Sequence, residues 1–378
     1  MELLGKSKNE LREFCATLGE PAYRGAQLYH ALYAERRFDF ARMTNLPASL
    51  RERLASQAQI TLPTVRQRYA SQDGSVRYLF SLAGSQSAKT SAVNSAHSHE
   101  PTTRPASVEA VFMPSETRQT ICISTQAGCA VDCQFCLTAQ LGLIRNLSPG
   151  EILAQVLLPL EEQNANLAPP FESATGKQTN LVLMGQGEPL LNFDNTMAAL
   201  RIILDPEALA LSPKHVTLST SGIVPGIERL AKEPVRPKLA ISLNASNDEQ
   251  RNAVMPINRK YPLGELLEAC RNYPLRPWEH LTFEYVMLGG VNDAPEDARR
   301  VVRLLAPLKR VKVNLIPWNP GDLPYRESPA EQIEEFRKIL VDRSVPAFVR
   351  YSRGRDVMAA CGQLALKEVR GSPLPVLS

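Results

Sequence analysis

The sequence predicts an α/β fold: a largely parallel sheet, either doubly wound or curled into a full or partial barrel, preceded by a small helical module. Two patterns carry this expectation. From about residue 106, runs of β character alternate with helical stretches, and such repeats join parallel strands through crossovers. Before about residue 60 the apolar spacing is helical instead.

In the first module, "LREFCATLG" sets Leu11, Phe14, Cys15 and Leu18 at i, i+3, i+4 and i+7, one face of a helix. "YRGAQLYHALYAE" and "LPASLRERLASQ" read as a second and third helix. "VRQRYASQDGSVRYLFSL" alternates around Asp73-Gly74, a hairpin turn signal. Residues 84–105 are rich in Ser, Thr and Ala with few apolar anchors, and are expected to be a disordered surface insertion holding His97 and His99. The strands of the larger part contain "VEAVFM", "TICIST", "NLVLMG", "HVTLST", "KLAISL", "TFEYVML", "VKVNLIP" and "AFVRY". Helices between them carry start signals: Ser148, Pro149 and Glu151 in "SPGEILAQVL", and Ser328, Pro329 and Glu331 in "SPAEQIEEFRKIL". No glycine-rich dinucleotide fingerprint follows the first strand, which weighs against a Rossmann fold. A barrel brings function to the C-terminal strand ends, where the cysteine cluster, "MGQGEP" and "STSG" fall.

With 378 residues, 44% hydrophobic and 22% charged, the chain is long enough for one large domain and an accessory one. No apolar run approaches the ~20 residues that span a bilayer, and the N-terminus has no apolar signal region, so a cytoplasmic location is expected. A net charge of +4 is compatible with RNA binding without pointing to it. The basic runs "LKRVK" and "VRYSRGR" read equally well as solvated faces.

Seven cysteines, unevenly spaced, do not form a secreted disulfide framework. Cys15 and Cys270 lie on apolar helix faces and read as small core residues. In "GCAVDCQFCLTAQLG", Cys129, Cys133 and Cys136 form C-x3-C-x2-C on the loop leaving a barrel strand. Thiolates favour zinc or iron–sulfur clusters, and a structural zinc site wants a fourth ligand, often from a second knuckle, that is missing here. Three thiolates can hold three irons of a [4Fe–4S] cube and leave one open. Residue chemistry leaves Cys122 and Cys361 open as a fourth ligand. In "TICIST", Ile121 and Ile123 share one strand face, so Cys122 and Ser124 share the other.

C-x3-C-x2-C with Phe135 before its last cysteine resembles the signature of radical S-adenosylmethionine (SAM) enzymes. Together with "MGQGEPLLNFDN", "VTLSTSG", "NLIPWNP" and "RGRDVMAACGQLA" it resembles the RlmN/Cfr group of rRNA methyltransferases, on the RlmN side, over most of the chain. The resemblance implies a partial (β/α)6 barrel over 119–353, a helical RNA-binding domain over 1–60, a β extension over 61–118 and a C-terminal segment, 354–378, bearing the methyl-accepting cysteine. It implies a [4Fe–4S] cluster on Cys129, Cys133 and Cys136, with SAM on the open iron. By the same resemblance, one SAM methylates Cys361 and a second yields the 5′-deoxyadenosyl radical that activates the S-methyl group. That carbon adds to C2 of an adenosine, and Cys122 resolves the covalent adduct through a Cys122–Cys361 disulfide.

Glu109 matches the family's proton acceptor. Gly187, Glu188, Ser219, Ser242, Leu243, Asn244 and Asn319 match SAM contacts, although Asn244 stands where some members carry His. The implied partners are 23S rRNA near the peptidyl-transferase centre, tRNA at the adenosine 3′ of the anticodon, and an electron donor such as a flavodoxin-type reductant. Two alternatives remain at this level. One is C8 methylation of the same rRNA adenosine, and the other is a noncatalytic iron–sulfur factor that binds RNA or assists ribosome assembly. Glu284 in "FEYVML" could face the interior or form a structural ion pair.

Overall fold

A computed structural model describes residues 1–82, 106–165 and 178–366. The expected insertion at 84–105, with His97 and His99, lies outside the described residues. The chain opens with α1 (Lys8–Thr17), α2 (Tyr23–Tyr33) and α3 (Ala48–Gln57). Leu11 and Cys15 are buried on α1, with Phe14 and Leu18 packed at the edge, as the helical spacing predicts. The module sits directly on the larger body. A Cβ on Gly150 would lie 2.6 Å from the Leu4 carbonyl oxygen, and Tyr29 donates to Asp205 at 2.8 Å.

The strands β1 (Thr64–Ala70), β2 (Val76–Ser81), β3 (Ser107–Pro114) and β4 (Arg118–Ile123) run antiparallel in sequence order. Gly74, at φ +81°, closes the first hairpin, and Asp73 Oδ1 accepts from the Ser75 amide at 2.8 Å. A short hairpin of β5 (Gln126–Gly128) and β6 (Leu143–Asn146) brackets the cysteine loop. From β4 onward the sheet is parallel: β7 (Gln178–Leu183), β8 (Val216–Thr220), β9 (Lys238–Ser242), β10 (Leu281–Met287), β11 (Val311–Pro317) and β12 (Ala347–Val349).

The crossovers run through α4 (Pro149–Glu162), α5 (Phe193–Leu204), α6 (Val224–Ala231), α7 (Asp248–Val254) with α8 (Leu263–Asn272), α9 (Pro295–Leu305) and α10 (Ala330–Asp342). Outward-facing residues such as Ile121, Ile123, Leu181, Leu239 and Phe283 are fully buried under these helices. The opposite faces of β4, β7, β8, β9, β10 and β11 all contribute to one cavity. Only a curled sheet brings six strands around a common space, and the sheet order stays open between β1 and β12, so the barrel is partial.

The capping box at Ser148 forms as expected: its Oγ accepts from the Glu151 amide at 3.3 Å, and Glu151 Oε2 accepts from the Ser148 amide at 2.9 Å. The matching device at Ser328 does not. Here α10 starts after Pro329 with no side-chain cap, and Ser328 is buried instead.

Candidate active site

At the C-terminal ends of the parallel strands lies a cavity lined by Cys129, Cys133 and Cys136, by Gly187 and Glu188, and by Ser219, Ser242, Asn244 and Asn319. They come from the cysteine loop, from the loop after β7, from the ends of β8 and β9 and from the loop after β11. The three thiols crowd one another. Burial pushes Cys129 up to about 12, with Cys136 and Glu188 adding to it, while burial, Cys136 and Cys129 all raise Cys133. Among the described residues no trio of Cys, His, Asp or Glu is gathered tightly enough to hold a single metal ion. A [4Fe–4S] cube makes a different demand, because each thiolate takes its own iron and the sulfurs stand around the cluster.

The strand ends are prepared for a polar ligand. Gly187 has φ +95°, and a Cβ there would lie 2.5 Å from that of Gln126, so glycine permits the backbone to line the cavity. Glu188 is buried, with Oε1 accepting from the Leu190 amide at 3.0 Å and Oε2 from the Ser221 amide at 2.7 Å. Burial raises its carboxyl above the usual range, and the Ser221 and Leu190 amides oppose the rise. Ser221 lines the same cavity with its buried Oγ beside the Glu188 carboxyl, within reach of a bound polar ligand. These features suit the amino and carboxylate groups of SAM.

Asn244, at φ +54°, accepts from the Val286 amide at 2.8 Å, and Asn319 Nδ2 donates to the Cys361 carbonyl at 3.0 Å. Leu243 does not join them. Its side chain is wholly buried in the core, its amide donates to the Glu284 carbonyl at 2.9 Å, and its carbonyl accepts from Arg251. The alternation in "KLAISLNA" carries this signal, since Leu239, Ile241 and Leu243 share a face opposite Ala240 and Ser242. Two residues escaped sequence reading: Ser221, and Arg251, whose fully buried guanidinium binds the carbonyls of Ser221, Ser242 and Leu243.

Cys361 follows a 3-10 turn (Arg355–Val357) in a loop rather than a helix. The loop is stapled to the cysteine segment by Leu137 N–H to Gly362 O at 2.8 Å and Thr138 Oγ1 to Leu364 O at 2.5 Å. Cys361 lines this cavity and also a second one, of about 600 Å³, on whose wall Cys122 stands. Cys361 is exposed into the cavities; desolvation by their walls, then Glu284 and Cys136, pushes it up to about 11, and burial and the neighbouring Cys361 raise Cys122 far above the ordinary thiol value. Glu284 faces both cavities and accepts from Asn314 Nδ2 at 3.0 Å, which resolves its two readings in favour of the interior.

Glu109 belongs to neither lining. It lies on β3 beneath the C-terminal segment, paired with the buried Arg77 at 2.6 Å and accepting from the Leu366 amide at 3.1 Å. Burial raises its carboxyl pKa, and Arg77 opposes that rise.

Residues 123–305 match the radical SAM superfamily, and residues 1–60 match the ribosomal RNA large subunit methyltransferase N-terminal domain. The chain is 48% identical over 354 residues to a probable dual-specificity RNA methyltransferase RlmN of Koribacter versatilis, covering 93% of this chain and 98% of that one. It is 43% identical over 375 residues to the dual-specificity RNA methyltransferase RlmN of Anaeromyxobacter dehalogenans, covering 98% and 94%. The crystal structure of a radical SAM methyltransferase from Sphaerobacter thermophilus superimposes with a TM-score of 0.84 at 40% identity, covering 96% of this chain and 99% of that one. Three clustered thiols at the strand ends, an amide-lined cofactor cavity and relatives matching nearly end to end lead to one conclusion: the chain belongs to the RlmN family of radical SAM RNA methyltransferases.

Proposed function

We propose that this enzyme methylates C2 of an adenosine in 23S rRNA near the peptidyl-transferase centre and of the adenosine 3′ of the tRNA anticodon, in the cytoplasm, through a methyl group carried on Cys361. One observation carries the reading: Cys361 is the cysteine common to a cavity holding the three-thiol loop and a cavity holding Cys122. In this reading Cys129, Cys133 and Cys136 hold the cluster, and Gly187, Glu188, Ser219, Ser242, Asn244 and Asn319 hold SAM. Leu243 contributes by setting the strand end. When bound there, cluster and SAM supply the methyl group and the radical that activates it, two SAM being used per turnover with a flavodoxin-type donor of electrons.

The chain's own groups then act in order. Cys361 Sγ accepts a methyl group and keeps it as a thioether at the boundary between the cavities. Once activated, this carbon bonds to C2 of the adenine. Rearomatisation requires C2 to lose its hydrogen as a proton and the adduct to give up one electron, which restores the electron spent on activation. Glu109, with its carboxyl raised by burial, is the proposed acceptor of that proton, reached by displacement of the Leu366 amide. Cys122 Sγ then attacks Cys361 Sγ. The S–S bond forms, the S–CH2 bond breaks, and the carbon leaves with the bonding pair and takes a proton to become the product methyl group. An external two-electron reductant resets the disulfide.

The test is Cys122→Ala, purified anaerobically from cells with its cluster loaded. RNA joined to Cys361 through a one-carbon bridge at one adenosine is the expected result. A loaded protein whose Cys361 carries neither methyl nor RNA would refute the carrier mechanism. Mass spectrometry of the product nucleoside separates C2 from C8.

A further inference from the structure

The second cavity extends away from Cys361 toward the N-terminal ends of the parallel strands. Its walls there are basic: Arg118 opens β4, Lys214 precedes β8, Lys238 opens β9 and Lys312 is the second residue of β11, while Arg350, which follows β12, reaches back along the wall to Asn314 Oδ1 at 3.3 Å. Glu284 is the one carboxylate on the lining among the described residues. Among the described residues, neither the Lys238 nor the Lys312 amine has an ion-pair or hydrogen-bond partner. Burial lowers the Lys238 pKa below the ordinary lysine value, and Lys312 lowers it further against Glu279. Burial and Arg350 do the same to Lys312 against Glu284. The walls thus repel one another, which is a cost to the free protein that a polyanion removes.

Aromatic rings stand at the rim. Trp278, just outside the lining, is partly exposed with the lining residue Lys214 at 5.5 Å and Arg276 at 4.6 Å from its ring centroid, and Tyr351, 64% exposed, lines the cavity just beyond β12. Basic side chains interleaved with exposed rings suit a single nucleic-acid strand, whose phosphates meet the charges while its bases stack. An isolated phosphate has no use for the rings. The volume is that of a pocket for one nucleotide drawn out of its stack.

We propose that substrate RNA enters the barrel from the end opposite the cofactor site, with the target nucleotide in this basin and the adjoining phosphates on Lys238, Lys312 and their basic neighbours. This rests on the RNA methyltransferase reading above and adds a direction of approach: cofactor from the C-terminal strand ends, RNA from the N-terminal ends, meeting at Cys361. It also gives the basic runs noted in the sequence a use, because Lys312 and Arg350 come from them.

The holoenzyme and a fluorescent RNA stem-loop with one unpaired loop adenosine provide the test, with binding followed by anisotropy across salt concentrations. A Lys238→Gln/Lys312→Gln variant is expected to reduce the slope of log K against log salt by about 0.7 per lysine. Trp278→Ala with Tyr351→Ala is expected to weaken binding about tenfold at unchanged slope. Arg299→Gln, on the exposed face of α9 where Arg299 pairs only with Glu296, is expected to match the wild type. SAM affinity of each variant reports that it is folded. Wild-type affinity and slope in the lysine variant would overturn the proposal, as would competition by inorganic phosphate together with indifference to loss of the rings. Product analysis of the same RNA keeps the two ideas apart. Lysine-dependent binding without methylation removes the proposed function and leaves the entry route. Methylation at unchanged kcat/KM in the lysine variant removes the entry route and leaves the function.

Discussion

Arg251→Met removes the most heavily engaged buried cation near the cofactor cavity. The guanidinium is fully buried and donates to four acceptors: Leu243 O at 3.1 Å, Asn258 Oδ1 at 2.9 Å, Ser221 O at 2.7 Å and Ser242 O at 3.0 Å. Burial lowers its pKa to about 10, with the Cys133 thiol, Asp248 and Cys270 opposing that fall, so it remains a cation at neutral pH. Methionine of similar length leaves those acceptors without donors. Each buried acceptor so orphaned costs about 1–3 kcal/mol, and relief of a desolvated charge returns part of the sum. A net loss of about 3–5 kcal/mol is expected, read as a fall in the urea midpoint of the cluster-free chain at unchanged m-value. Since Ser221 and Ser242 line the cofactor cavity, SAM affinity of the reconstituted enzyme should fall about tenfold or more, or about 1.4 kcal/mol. Arg251→Lys restores a charge but not the fork, and should recover less than half of either loss. A midpoint shift below about 1 kcal/mol with SAM affinity intact would refute the view that this guanidinium ties the ends of β8 and β9 together.

Two further outcomes follow from the same geometry. Gly187→Ala places a Cβ 2.5 Å from the Gln126 Cβ at φ +95°, so the loop must shift into the cofactor cavity; calorimetry should show SAM binding at least tenfold weaker, while α/β circular dichroism is kept. RNA affinity should fall as pH rises through the depressed lysine values of Lys238 and Lys312, before the ordinary value of about 10.4, because phosphate binds the charged amines. The stability of the RNA-free chain has the opposite sign over that window: the unfolded lysines hold more protons there, so folding gains as pH rises. A fall in affinity confined to the ordinary lysine range, or absent from Lys238→Gln/Lys312→Gln and wild type alike, would remove these two amines from the interface.

What was legible in the sequence was local chemistry. The cysteine loop and the hairpin at Gly74 declare themselves because spacing, or a turn that favours glycine, leaves a mark within a few residues, whereas Gly187 is read through the family resemblance alone. The period-2 alternation of "TICIST" likewise gave the interior face on which Cys122 now stands. Arg251 was invisible for the opposite reason. It lies in the polar run "NDEQRNAV", where an arginine reads as solvated, and only the approach of two strand ends buries it. The burial of Glu109 leaves no local mark either, since its partner Arg77 lies 32 positions away across an antiparallel pair. The basic basin was lost for a related reason. It takes one cation from each of several strand ends, and each alone is an ordinary lysine or arginine until the sheet curls.

In the proposed mechanism, the division of the barrel into two cavities also bears on why the methyl carrier belongs to the chain itself. The linings share four residues: Met184, Glu284, Ile316 and Cys361. Ile316 offers no nucleophile, a thioether is already alkylated, and a methyl ester at Glu284 would be open to hydrolysis. Cys361 alone combines a nucleophile with a product stable enough to wait for substrate. Its loop is fixed from both sides, by Asn319 at its carbonyl and by Leu137 and Thr138 just beyond, so the sulfur is held at the boundary rather than swung between sites. A fixed carrier needs no large motion to serve both cavities, but it cannot retreat once bonded to RNA. Release therefore has to come from a group on the RNA side, and on that wall the second thiol is Cys122.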